Sequence, residues 1–378
     1  MQNIKLQIIL LQVVILMVSW NALPVSAYYS YGARAVGMGN AFTGMTNDAS
    51  IFYWNPGALV VLPGWVVELQ YGRDALYAED VKATMESMKR WHEEGEGSES
   101  KLARGMKELA SKDWLFRGGE AMSFVIANNH MAMFFNQQQI YYAQYDRSNL
   151  AAEQSSGETD EWRYSLPGVD LQEYGVSFTM LGGDSGFSMG VSGKYIRAKT
   201  FYSSPLFTEI TNVDLDDMIE LVESGDTTTV SRWSWDAGIV MVFGPNRLGI
   251  SGRNLNRYSI EVTEDTSITI KPEYRIGYAF QPTDRFVFCM DYSIGKERDL
   301  LGNRLNAKEL ATGFEGFFGA KRRLVLRGGV SMPMEGDAPM VLSVGSGLVF
   351  DTAIFDVGYA FDRDHDSRKL WFGLRFMF

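Results

Sequence analysis

Few side chains in this chain are equipped for covalent chemistry. Its 378 residues include three histidines, His92, His130 and His365, and one cysteine, Cys289. Hydrolysis by a serine nucleophile needs a histidine placed to take its proton, and no serine stands out beside any of the three. No Cys/His pair has metal-site spacing, so the expectation is no metal, no other cofactor and no enzyme. "DRDHD" (Asp362–Asp366) offers carboxylates to a cation, but a solvated charged rim is the plainer reading. Cys289 alone makes no intramolecular disulfide and, among aromatic neighbours, reads as a small packed side chain. Five charges are more telling: Arg275, Asp291, Arg327, Asp356 and Arg375 each fall on the face of an alternating segment opposite its large apolar residues. An isolated charge facing inward must find a partner, so these five are expected to pair with each other and with whatever fills the space between them.

The segments that carry them repeat with period two. "FVFCMDY" puts Phe286, Phe288, Met290 and Tyr292 on one face; "YRIGYAF" does so with Tyr274, Ile276, Tyr278 and Phe280, and "FDVGYAF" with Phe355, Val357, Tyr359 and Phe361. The opposite face mixes Gly, Ala and single charges. A soluble sandwich would fill its outer face with Lys, Glu and Thr, whereas this pattern suits a membrane wall around a crowded lumen. Mean hydropathy is only -0.12 despite 46% hydrophobic residues, because each strand of such a wall cancels its own hydropathy. Gly at 38, Pro at 10 and 50 aromatic residues (18 Tyr, 23 Phe, 9 Trp) suit many strands joined by tight turns.

About fourteen strands are expected: 65–73, 121–128, 130–142, 171–181, 187–202, 231–243, 247–255, 268–280, 286–294, 309–318, 324–331, 341–350, 354–361 and 369–378. Connections after the even strands are short ("ANNH", "GGDSG", "GPN", "QPTDR"), while those after odd strands begin with 74–120, 143–170 and 203–230. Short turns on one side and long loops on the other characterise outer-membrane barrels. "LWFGLRFMF" ends the chain, and a last strand closing on Phe376 and Phe378 is similar to the signal such barrels show their assembly machinery. Residues 1–27, with Lys5, the apolar run Leu6–Val18 and small residues at Ser26 and Ala27, read as a secretory signal peptide. The fold class expected is all-β, a transmembrane antiparallel barrel (63–378) of about 14 strands in the cell outer membrane. Outer-membrane lipids are its surroundings. A net charge of -11 argues against nucleic acid as a partner.

Residues 28–62 fit neither pattern. "YGARAVGMGNAFTGMTNDASIFYWNPGAL" (Tyr31–Leu59) is too apolar for a linker, and a barrel this wide needs water or a plug inside. Its glycines permit sharp bends, and Pro56 steers Asn55 away from helix, so the segment reads as an N-terminal hatch in the lumen. Its wording resembles the hatch of the FadL/TodX superfamily of hydrophobic-compound transporters, and most closely the PorV/PorQ-like branch. The matching elements are Gly37-Met38-Gly39, Asp48-Ala49-Ser50 and Asn55-Pro56-Gly57, the last departing from the family's Asn-Pro-Ala. The resemblance implies passive uptake of hydrophobic small molecules such as long-chain fatty acids or hydrocarbons, gated by Gly37, Gly39, Asp48, Asn55, Pro56 and Gly57. Its alternative is a PorV-like, non-transporting component that partners a protein secretion system.

Two long loops carry helical stripes, Val81, Met85 and Met88 in one and Leu215, Met218, Ile219 and Val222 in the other. These helical extracellular loops either form an entry groove, to which flexible methionines suit varied ligands, or simply pack together over the barrel mouth.

Overall fold

The computed structural model describes residues 31–77, 84, 87, 90–91, 99–110, 116–145, 164–182, 186–204, 225–261, 267–295, 308–319, 322–334, 340–362 and 367–378. Fourteen antiparallel strands close into one barrel. They are β1 (Val66–Tyr77), β2 (Phe116–Ala127), β3 (Met131–Tyr145), β4 (Tyr164–Leu181), β5 (Phe187–Ser203), β6 (Asp226–Phe243) and β7 (Asn246–Arg253), then β10 (Glu273–Thr283), β11 (Phe286–Gly295), β12 (Lys308–Phe318), β13 (Leu324–Pro333), β14 (Val341–Val349), β15 (Ala353–Asp362) and β16 (Ser367–Met377). A hairpin of β8 (Tyr258–Glu261) and β9 (Ser267–Ile270) forms a separate two-stranded sheet. Among the described residues, α1 (Ala33–Gly37), α2 (Ile51–Trp54) and α3 (Glu99–Ala110) are helices, Pro56–Val61 is a 3-10 helix, and residues 84, 87 and 90–91 are also helical.

Period-two alternation decides which side of the wall each residue meets. Large apolar side chains point outward and stay exposed, among them Met133, Phe178, Phe314 and Val344, with Trp233 at 63% and Trp235 at 56%. An apolar belt of this extent is one that lipid wets. Small and polar residues point inward. Antiparallel pairing of β1 with β16, from Val66↔Met377 to Ala75↔Arg368, closes the wall, so the sheet has no end strand. Phe376 takes part in this ladder opposite Val67, and the amide of Phe378 donates to the Trp65 carbonyl at 2.9 Å. The terminal aromatic pair expected to guide assembly thus lies at the closing seam.

Each expected strand has a counterpart, with two differences. Strands are longer on the loop side, β4 and β6 reaching 18 residues each, because threonine-rich and polar runs such as "DTTTVSR" continue the ladder beyond the apolar belt. The segment 268–280 is not one strand but two elements: its start lies in β9 and the rest in β10. The chain turns at Lys271-Pro272 between them, where proline supplies no amide to continue a ladder. The stripe residues Val81, Met85, Met88, Leu215, Met218, Ile219 and Val222 lie outside the described residues, as do His92, His365 and residues 1–30.

Candidate functional site

Residues Tyr31–Leu62 fill the barrel on the short-turn side, buried almost throughout. Short-range signals shape them. Gly32 (φ 89°) and Gly39 (φ 66°) take left-handed conformations that cost glycine little, which breaks the segment into one- and two-turn pieces. Asn55 ends α2 in an extended conformation, and Pro56 opens a 3-10 turn over Pro56–Val61 at a position where its missing amide costs nothing. The aromatic residues then face the wall. Tyr31 stacks on Tyr53 at 4.8 Å between ring centres, Phe52 stacks on Phe134 of β3 at 4.2 Å, and the Trp54 indole donates to the Tyr31 carbonyl at 3.0 Å.

Asn55 is the pin of this hatch. Its side-chain amide donates to the Thr43 carbonyl at 3.3 Å and to the Ile239 carbonyl of β6 at 3.0 Å, and its oxygen accepts from the Gly57 amide at 3.0 Å. One fully buried side chain thereby joins two hatch turns to the wall. The wall in turn is thinned to glycine where the hatch backbone lies against it. A Cβ on Gly57 would stand 2.6 Å from the Gly238 carbonyl oxygen, and one on Gly37 would stand 2.9 Å from the Gly345 Cα. Gly249, Gly277, Gly313 and Gly329 meet hatch backbone in the same manner. The glycine at position 57, where the related motif carries alanine, permits this close approach.

Charges tie the hatch to the far side of the lumen. Arg34 donates to Glu315 through Nε at 2.7 Å and Nη2 at 2.6 Å. Arg327 bridges Glu315 at 2.7 Å and Asp356 at 2.8 Å; Arg375 reaches Asp48 and Glu68 at 3.0 Å and Asp356 at 3.4 Å. Asp291 accepts the amides of Phe42 and Thr43 at 3.0 and 2.7 Å, while Arg275 pairs with Glu273 at 2.6 Å and lies 4.5 Å from the Trp54 ring centre. Burial alone would raise the Asp48 carboxyl, but Arg375 and Arg34, helped by Ser50, hold it below the ordinary carboxylate value.

All five inward charges read from the sequence thus face the lumen. Asp291, Arg327, Asp356 and Arg375 bond to the hatch or to each other, and Arg275 stacks on a hatch aromatic. Sequence reasoning missed Arg34, Glu68 and Glu315, which complete this network. It also missed a second one on β4–β7, where Lys194 bridges Glu173 at 3.0 Å and Asp236 at 2.9 Å while Arg253 reaches Glu173 at 2.9 Å. The signal was the same alternation: Glu68, Glu173, Lys194, Asp236 and Glu315 occupy inward registers of half-apolar strands. Among the described residues no group of three or more His, Cys, Asp and Glu could hold a metal ion. His130 lies in the exposed turn before β3.

A profile of the family described as "F plasmid transfer operon, TraF, protein" matches residues 60–292. The chain belongs to that family. The TraF-family match begins at the exit of the hatch and runs into β11. No curated protein matches the chain. Among solved structures, it is similar to the toluene transporter TbuX of Ralstonia pickettii, with 12% identity, 92% of this chain and 98% of that one covered and a TM-score of 0.55. The toluene transporter TodX of Pseudomonas putida gives 14%, 93%, 98% and 0.53, and the monoaromatic hydrocarbon channel CymD gives 12%, 95%, 98% and 0.52. At such identities the likeness concerns the fold, which is the one the FadL/TodX resemblance implied. None of these likenesses supports the PorV/PorQ-like branch of that resemblance.

Proposed function

We propose that this TraF-family barrel is an outer-membrane channel for the passive passage of hydrophobic small molecules. The observation that carries the reading is the hatch: a lipid-wetted wall encloses a lumen sealed by the chain's own N-terminal segment. Such a seal suits a pore that excludes ions and water yet admits a solute able to displace packed aromatics. The hydrocarbon channels that share the fold support the same reading, and monoaromatic hydrocarbons are the first ligands to try, ahead of fatty acids. A solute arriving from the loop side would meet Phe52, Tyr53 and Trp54 and strain the turn pinned by Asn55. No covalent step is involved. Gram-negative cells with an intact lipopolysaccharide leaflet test the proposal. Cells producing the chain should take up the fluorescent apolar probe N-phenyl-1-naphthylamine faster than cells without it, with entry of a hydrophilic sugar unchanged. Equal probe entry would contradict it.

A second reading, a PorV-like non-transporting partner of a secretion or transfer apparatus, is favoured by one feature. The glycine-seated hatch is held on every side, as a permanent plug would be. Co-purification with translocon components, together with absent probe uptake, would decide for it.

A further inference from the structure

The β8–β9 hairpin belongs to no barrel strand pair, yet it is buried. Tyr258, Ile260 and Ile270 form one apolar cluster with Tyr142 of β3, Val169 and Leu171 of β4, and Ile196 and Ala198 of β5. The inward register of β4–β5, with Leu171↔Ala198 and Glu173↔Ile196, places these wall residues in the lumen on the loop side of Glu173 and Lys194. The hairpin therefore covers an apolar wall inside the mouth, one storey above the hatch.

Two strands of four residues each are marginal on their own, and these two pair with each other and with no barrel strand. The Thr200 hydroxyl donates to the Glu261 carbonyl at 3.1 Å, the Leu255 amide donates to the Trp235 carbonyl at 2.8 Å, and Asn256 caps the edge of β6, accepting from the Trp235 amide at 2.9 Å and donating to the Trp233 carbonyl at 2.6 Å. β6 needs that cap because β7 pairs with it only from Ala237 onward, whereas β5 pairs with it from Asp226. The hairpin can leave without breaking the barrel ladder. Its root is Asn254 (φ 52°), whose amide donates to Asp236 at 2.7 Å. The preceding residue, Arg253, reaches down to Glu173 and lies 4.0 Å from the ring centre of Tyr53 in the hatch.

We propose that the hairpin is a displaceable lid whose Tyr258, Ile260 and Ile270 occupy an apolar binding cleft on β3–β5, and that Arg253 couples its release to the hatch. This rests on the passage of hydrophobic solutes proposed above, and it names their class at this cleft. Compact aromatic or branched apolar molecules, matching one tyrosine and two isoleucine side chains, take the lid's place. Because lid and ligand compete for one surface, the apparent affinity of the closed protein is lowered by the fraction of time the lid is shut. Release pulls on Asn254 and so on Arg253, which lets go of Tyr53. A solute entering the mouth thereby loosens the seal beneath it.

The test uses the purified full-length protein in detergent with N-phenyl-1-naphthylamine as probe. The triple variant Tyr258→Ala/Ile260→Ala/Ile270→Ala should bind the probe about tenfold more tightly or better, and adding Leu171→Asn should remove that gain. A triple variant that keeps its heat-modifiable migration and binds no tighter overturns the proposal. Hydrogen exchange on the unmodified protein needs no variant to fold. Saturating probe should speed exchange of the amides in Tyr258–Glu261 and, through Arg253, of Tyr53 and Trp54, and Arg253→Gln should abolish the response in the hatch alone. Lid amides that slow or do not respond, or no probe binding at all, refute the lid; hatch amides that stay unresponsive refute the coupling. Binding without uptake by cells would count against passage while leaving the lid intact.

Discussion

At the residue scale the hatch depends on side chains with no apolar substitute. Removing the guanidinium of Arg375 leaves Glu68 buried without its cation and Asp48 with Arg34 alone, a change that costs about 3–5 kcal/mol when a paired buried charge loses its partner. Arg375→Met should lower the temperature at which the barrel loses heat-modifiable migration, and Arg375→Lys should lower it less because one charge remains. Equal temperatures for both variants and the parent would contradict the network. Asn55→Ala deletes three hydrogen bonds and strands the buried Gly57 amide, at roughly 1–3 kcal/mol for the unmet donor alone. The apolar packing of Phe52, Tyr53 and Trp54 persists, so brief, intermittent openings in planar bilayers are expected rather than a steady pore. Gly57→Ala sets a methyl against the Gly238 carbonyl and should give the same flicker; silent records from both variants would show that this pin does not hold the seal. Of these residues, Asn55 and Arg375 were legible beforehand. Arg34 was not: its partner Glu315 lies 281 positions away, and only the closed barrel brings them together.

At the scale of elements, the wall and the hatch are separable. Barrel hydrogen bonds run from strand to strand and do not pass through the plug. Deleting Gly32–Leu59 should therefore leave a folded, less stable barrel whose conductance rises from near zero to a large steady value; a folded but electrically silent deletion would deny this segment the role of plug. The seam makes a second forecast. Phe378 bonds to Trp65 where β16 meets β1, so deleting it or changing it to Asp should reduce insertion of heat-modifiable barrel into the outer membrane, and unchanged insertion would contradict the assembly role. Period-two patterning made fourteen strands readable because each alternates independently of its neighbours. It could not reveal the β8–β9 hairpin, whose "YSIE" and "SITI" alternate as any strand does while pairing with each other inside the mouth. The glycine seating was hidden for a related reason: a glycine in a strand does not show which backbone will lie against it.

At the scale of the whole molecule, an outward belt of exposed apolar side chains, a closed seam and a hatch buried inside the wall describe a plugged membrane barrel. Orientation follows from turn length: a tag inserted at 93–100 should be reached by antibody on intact cells and one at 183–185 only after permeabilisation, the reverse pattern excluding this topology. Passage of apolar solutes is tested most directly in a defined membrane, which offers no other cellular route. Purified protein should be placed in liposomes with a lipopolysaccharide outer leaflet, and the initial rate of N-phenyl-1-naphthylamine entry compared with that of protein-free liposomes. A severalfold faster rate that scales with protein content is expected, with the membrane still impermeable to ions. A rate equal to that of protein-free liposomes, with the barrel shown to be folded and inserted, would contradict it.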